Sequence, residues 1–272
     1  MVRRLGVGVG EAAGSGTAGK AREGAFPAPV LLATAALAAI GAVGGLLAEG
    51  SPGAPEPAWP IALAFLALLT AAGFPTLHFQ YRDHAGAEDL FEAILVPAMF
   101  VLPPLTLVLV VGIAQAVSEG LQRIQPIKAC YNVAQWMAAA AAGSVVLTWL
   151  RDGASAPTTR DLLALAAAMV ATTAVNVVAF IGVLWLASPQ PLRTVLTTMR
   201  PIVIPIWLIG RGINLAFGIL NVAAYASNPL TAALFLVPLG VLHWSGRAYA
   251  GVRADRARLA GMQRPPMPWP CR

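Results

Sequence analysis

A chain of 272 residues that is 58% hydrophobic, only 11% charged and has a mean hydropathy of +0.71 is not a soluble domain, where about a quarter of residues carry charge. The net charge of +6 is not a nucleic-acid signal, because basic residues in a membrane protein mark its cytoplasmic side. The two cysteines, Cys130 and Cys271, imply neither a disulfide framework nor a metal site, and no cofactor is implied.

Residues 1–26 are rich in Gly and Ala and carry Arg3, Arg4, Lys20 and Arg22, as expected of a disordered cytoplasmic tail. Gly6, Gly8 and Gly10 follow no strand, so they do not form a dinucleotide loop. Eight apolar runs then fill residues 27–246: Ala28–Ala48, Ala58–Leu77, Leu90–Leu102, Leu105–Val117, Tyr131–Leu150, Leu162–Ala187, Ile202–Ala226 and Leu230–Trp244. The first is too long for a signal-peptide core and lacks a clear cleavage site, so it is retained. The runs are too long for strands and lack period-2 alternation. The expected fold is an all-α polytopic membrane bundle of about eight segments, with the lipid bilayer as its surroundings. A basic exit helix over 247–262 and a disordered Pro-rich tail over 263–272 complete the chain.

Runs three and four are short, roughly 20 Å of helix each against a hydrocarbon core of about 30 Å. Pro103 and Pro104 lie between them, so they form either one kinked span or a hairpin of two short helices. Charge separates these readings. As two helices they place 15 of the 18 basic residues inside and 2 outside, with Arg211 in the membrane. As one span they leave 7 inside and 10 outside. The positive-inside rule favours the hairpin, with both termini cytoplasmic and only short outer loops.

Polar residues inside the runs are the candidate functional positions. Arg211 lies mid-run, where a charge costs about 3 kcal/mol on insertion scales. It reads either as a snorkelling or structurally paired side chain, or as an anion-binding or relay residue. Glu92, the other strongly embedded charge expected, could neutralise it if the two meet. Asn132 and Gln135 sit three apart on one helix face, shortly after Lys128. With Gln115, Asn176, Asn214 and Asn221 they read as interhelical hydrogen-bonding amides or as ligand contacts. His78 and His84 flank an inner loop at a spacing unlike a helical metal pair, and His243 and Trp244 read as interfacial. Pro97, Pro103, Pro104, Pro201, Pro205 and Pro238 are expected to break or kink helices. Such breaks are tolerated where protein or a cavity covers the freed backbone groups, and they also line transporter sites. No catalytic constellation is evident.

Three stretches carry a resemblance. They are Asp89-Leu-Phe-Glu92 running on to Pro103-Pro104, the segment from Arg123 through Lys128, Tyr131 and Asn132 to Gln135, and the segment from Asn214 through Gly218, Asn228 and Pro229 to Pro238, continued by Tyr249, Arg253 and Arg256. Together they resemble the N-terminal multi-helix membrane region of actinobacterial signalling proteins. There the region precedes cytoplasmic GGDEF and EAL domains, HD-type phosphohydrolases or histidine kinases. The resemblance spans about residues 28–262. It implies a membrane-embedded input module in which Glu92, Lys128, Asn132 and Gln135 match recurring polar positions; Arg211 has no counterpart there. In that family the exit helix leads into a catalytic domain, whereas here it leads into eight residues with four prolines.

Two functions are therefore expected. One is a sensory or regulatory membrane module without catalysis, whose exit helix passes a change in the bundle to a cytoplasmic partner or a second copy. Ala248, Val252, Leu259 and Met262 form a weak coiled-coil seam for that purpose; the same helix also reads as a basic segment held on anionic lipid. The other is a small-molecule transporter or substrate-binding subunit, supported by the broken helices, the buried amides and Arg211.

Overall fold

The computed structural model describes residues 28–50, 59–73, 77–81, 84–88, 90–151, 157–188 and 190–227, with three isolated helical positions at 237, 240 and 241. The N-terminal tail, the rest of the run 230–244, the exit helix and the Pro-rich tail lie outside the described residues. The described chain forms seven helices and one small hairpin: α1 (Ala28–Glu49), α2 (Trp59–Ala72), β1 (Leu77–Tyr81), β2 (His84–Glu88), α3 (Phe91–Val101), α4 (Pro104–Leu121), α5 (Pro126–Leu150), α6 (Thr159–Ala187) and α7 (Leu192–Ser227). Four of them, α1, α4, α5 and α6, are long and apolar enough to cross a membrane.

Helices α4 to α7 reach further than their apolar runs because hydropathy follows side chains and helices follow backbone signals, whereas α2 stops at Ala72, short of the run's end at Leu77. α5 starts five residues before its run, with Pro126 in the first turn, where a missing N–H costs nothing. α6 starts at a capping box: the Thr158 hydroxyl accepts from Asp161 N, and the Asp161 carboxylate accepts from Thr158 N. α4 continues through Ser118, Glu119 and Gly120 to Leu121, which makes it an 18-residue helix and corrects the expectation of a short segment. The short apolar helices are instead α2 and α3.

Two further expectations need correction. Pro97, Pro201 and Pro205 do not break their helices, since α3 runs on through Pro97 and α7 runs from Leu192 through Pro201 and Pro205; the Pro103-Pro104 pair does separate helices, and Pro238 lies outside the described residues. The loop carrying His78 and His84 is a two-stranded antiparallel hairpin, with Tyr81 opposite His84, His78 opposite Ala87, and two residues joining the strands. A lone hairpin is marginal in water; here β2 lies against α7.

α3 is the centre of the bundle. Its residues Phe91 to Phe100 are all buried, and it packs against α2, α4, α5, α6 and α7. A helix apolar on every side needs protein on every side. Enclosure also explains its length: 11 residues give only about 16 Å of helix, too little to cross a bilayer.

Successive helices alternate in direction. Gln122 Nε2 donates to Gly73 O at 3.3 Å, joining the ends of α2 and α4. At the opposite end Leu105 N donates to Glu49 Oε2 at 2.9 Å, and an Arg151 guanidinium N–H donates to Phe100 O at 3.1 Å. The ends of α1, α3 and α5 therefore meet the start of α4 at what we term the Pro-Pro end. The hairpin, Gln122 and the start of α5 mark the hairpin end.

Small residues bring the backbones together. A Cβ on Gly41 would lie 2.9 Å from Met137 Cβ, and one on Gly44 would lie 3.0 Å from Ala141 Cβ, so α1 seats its Gly41 and Gly44 directly on α5, while Gly45 faces Leu105 and Val108 of α4. Gly218 of α7 likewise faces Val96 of α3 with no room for a side chain. The outer faces are lined by Leu32, Leu46, Leu47, Leu163, Val170 and Val178. Trp59 and Trp149 stand out at the Pro-Pro end, 67% and 78% exposed, and Trp185 at the other, 46% exposed. Aromatic side chains at both ends of an apolar band are the pattern of membrane interfaces. From Leu163 to Trp185 the helix covers about 33 Å, close to a hydrocarbon core.

Candidate functional site

Among the described residues, two polar groups join helices within the bundle. The first joins α3 to α7. Glu92, in the first turn of α3, is completely buried and forms an ion pair with Arg211 of α7, whose side chain is 15% exposed. The guanidinium carbon lies 5.8 Å from the Trp136 ring of α5, and that ring packs on Phe91 at 4.6 Å between centroids. The charge is thus enclosed by its counter-ion and an aromatic face, which is how a buried ion pair becomes tolerable. Asn214, one turn beyond Arg211 on the same face of α7, is 3% exposed.

The second group runs along α4, α5 and α6. Glu119 Oε1 accepts from Asn132 Nδ2 at 2.8 Å and from Gln115 Nε2 at 3.0 Å. Gln135 Nε2 donates to both the backbone oxygen and Oδ1 of Asn176, each at 3.1 Å. Beside Glu119, Gln122 Nε2 donates to Ser118 Oγ at 3.0 Å as well as to Gly73 O. Nearer α1, the Tyr131 hydroxyl donates to Ala179 O at 2.7 Å.

Of the candidate residues, Glu92, Arg211 and Asn214 therefore lie on the α3–α7 seam, and Asn132 and Gln135 on the α4–α5–α6 seam. Lys128 is exposed at the start of α5 and joins neither group. Glu92 is not the only embedded acid besides Arg211: Glu119 is 6% exposed and Asp161 fully buried. Glu119 falls just beyond the apolar run ending at Val117, so hydropathy alone misses it. The available signal is Gln115 four residues earlier on the same helix face. Arg151, counted in an outer loop, is also structural. Its guanidinium lies 4.1 Å from the Phe100 ring, and burial pulls it below its usual range while the Asp161 carboxylate opposes that shift. It holds a carbonyl at the end of α3 that has no partner within its own helix.

Among the described residues no three His, Cys, Asp or Glu side chains gather into a group that could hold a metal ion. No family model, no curated protein and no solved structure matches the chain.

Proposed function

We propose that this chain is a multi-pass sensory or regulatory membrane module without catalysis of its own, set in a bacterial cytoplasmic membrane with both termini inside. It relays a change in the bundle through residues 247–262 to a cytoplasmic signalling partner or to a second copy. The observation that carries this reading is the Glu92–Arg211 pair. It ties the enclosed central helix to α7, the helix that precedes the C-terminal segment. A buried pair strongly resists separation, because each charge left alone keeps its desolvation cost. A ligand or bilayer state that favours another arrangement of α7 then selects between two discrete packings, by as much as its affinities for them differ. The resemblance to actinobacterial input regions and the charge count support the reading.

The test is site-specific crosslinking at Ala248 and Val252 in native membranes, comparing the intact chain with Arg211→Gln and Glu92→Gln. The expected result is capture of a protein bearing a cyclase, phosphodiesterase or kinase domain, or of a second copy, in a pattern altered by both variants. A pattern indifferent to both variants overturns the relay. The seam of Glu119, Asn132, Gln135 and Asn176 favours a second reading, a small-molecule transporter or substrate-binding subunit; solute flux into vesicles holding the purified protein would replace the first reading with it.

A further inference from the structure

We infer that Glu119 is the anchoring carboxylate of a site for a small monovalent cation of the sodium class, at the hairpin end of the bundle. This inference is independent of the relay through Glu92 and Arg211.

Three observations carry it. First, Glu119 is 6% exposed, and its two oxygens are treated unequally. Oε1 accepts from Asn132 and Gln115, whereas Oε2 is buried without a hydrogen-bond partner. Second, among the described residues no basic side chain pairs with it, unlike Glu92. Two neutral amides orient the carboxylate but do not balance its charge, and an ionised group out of water costs several kcal/mol unless balanced. Third, Glu119 stands in the last turn of α4, where the helix dipole is negative and an added anion is unfavourable. The main-chain ending at this point is fixed: Ile124 N donates to Glu119 O at 3.1 Å and Arg123 N to Gly120 O at 3.0 Å, with Arg123 left-handed at φ 53°. The dipole and the carboxylate therefore both draw a cation to the same place.

The chemistry narrows the ion. Ser118 Oγ and Gly73 O are engaged by Gln122 on the α2 side of the same turn, so Glu119 is the charged group that defines the site. Calcium and magnesium sites rely on carboxylates from several residues or on phosphates. Glu119 brings one carboxylate, and no group of three acidic, His or Cys residues forms among the described residues. A single negative charge with no second acid beside it suits a monovalent hard cation. A proton on Oε2 would balance the charge but would need an acceptor in turn.

The experiment uses the full chain in lipid nanodiscs. Thermal unfolding midpoints are measured in sodium chloride against choline chloride, at matched ionic strength and fixed pH. Binding to the folded state raises stability with the logarithm of free cation above Kd, so each tenfold rise in sodium should add an equal increment to the midpoint. Choline should add none. Glu119→Gln should remove the sodium dependence, Asn132→Ala should shift it to higher sodium, and Lys128→Ala should leave it unchanged. Sodium retained by the intact protein after desalting, at one ion per chain, reads the same site without any variant. Superimposable sodium and choline titrations, a dependence that survives Glu119→Gln, or a midpoint that follows pH but not sodium would each overturn the inference, the last in favour of a proton site.

Discussion

Gln122 donates its side-chain amide to the main-chain oxygen of Gly73, and this bond fixes the topology around the proline pair. If α3 and α4 were one kinked span, the ends of α2 and α4 would lie on opposite sides of the bundle and could not touch. Their contact requires the chain to run toward the Pro-Pro end in α3 and return in α4. Single cysteines in a background lacking Cys130 and Cys271 should therefore react with a membrane-impermeant thiol reagent in two sets. Gln125 and Gln190, exposed at the hairpin end, should label from the cytoplasmic side. Gly50 and Thr159, exposed at the Pro-Pro end, should label from the other. Labelling of Gln125 and Gly50 from the same side would reject the arrangement.

Arg151 makes a different kind of prediction. Its guanidinium donates to Phe100 O and lies over the Phe100 ring, so it both caps α3 and stacks on it. Arg151→Ala removes a charge-assisted hydrogen bond worth about 1.5–3 kcal/mol. Arg151→Lys should recover little of this, since an ammonium cannot reproduce the planar fork and stacking together. Unfolding of the purified protein by graded denaturant in mixed micelles measures both. A lysine variant as stable as the parent would show that only the charge matters.

The residues explain how much of this was legible in advance. The positions of seven helices follow from apolar length, and the reversal at Pro103-Pro104 follows from the asymmetric distribution of Arg and Lys, because both properties are linear along the chain. The pairing of Glu92 with Arg211 was only an option, since nothing one-dimensional says which faces of α3 and α7 meet. Apolar runs miss helix ends where polar residues continue a helix, as at Ser118–Leu121 and Leu192–Arg200. Glu119 was lost with the first of these. The hairpin over 77–88 was not expected, because its alternation is short and its pairing depends on a partner strand.

Glycine substitutions should separate packing from propensity. Gly41 has Met137 Cβ at 2.9 Å from the position of an added Cβ, whereas nothing lies within 4 Å at Gly212. Gly41→Ala should therefore force α1 away from α5 and cost about 1–3 kcal/mol. Gly212→Ala should be neutral or stabilising by up to roughly 1 kcal/mol, the helix preference for alanine. Heat-induced loss of the folded band in paired samples distinguishes them. Equal effects at the two positions would mean that α1 does not seat on α5 through this face.

The Glu92–Arg211 pair is best read by a double-mutant cycle. Glu92→Gln leaves Arg211 beside a neutral amide, and Arg211→Gln leaves a completely buried carboxylate without its counter-ion. Each single change should cost about 3–5 kcal/mol, the second more, because Glu92 is the more deeply buried partner. The double variant should be more stable than the sum of the singles, since it removes both charges together and two amides can hydrogen-bond in their place. A coupling of about 0.5–3 kcal/mol is the expected range for residues in contact. The same cycle, run on partner crosslinking at Ala248, distinguishes a relay from a structural pair. In a relay the double variant refolds but stays uncoupled, holding one crosslinking pattern whatever the lipid composition. A purely structural pair would recover both stability and the lipid-dependent pattern.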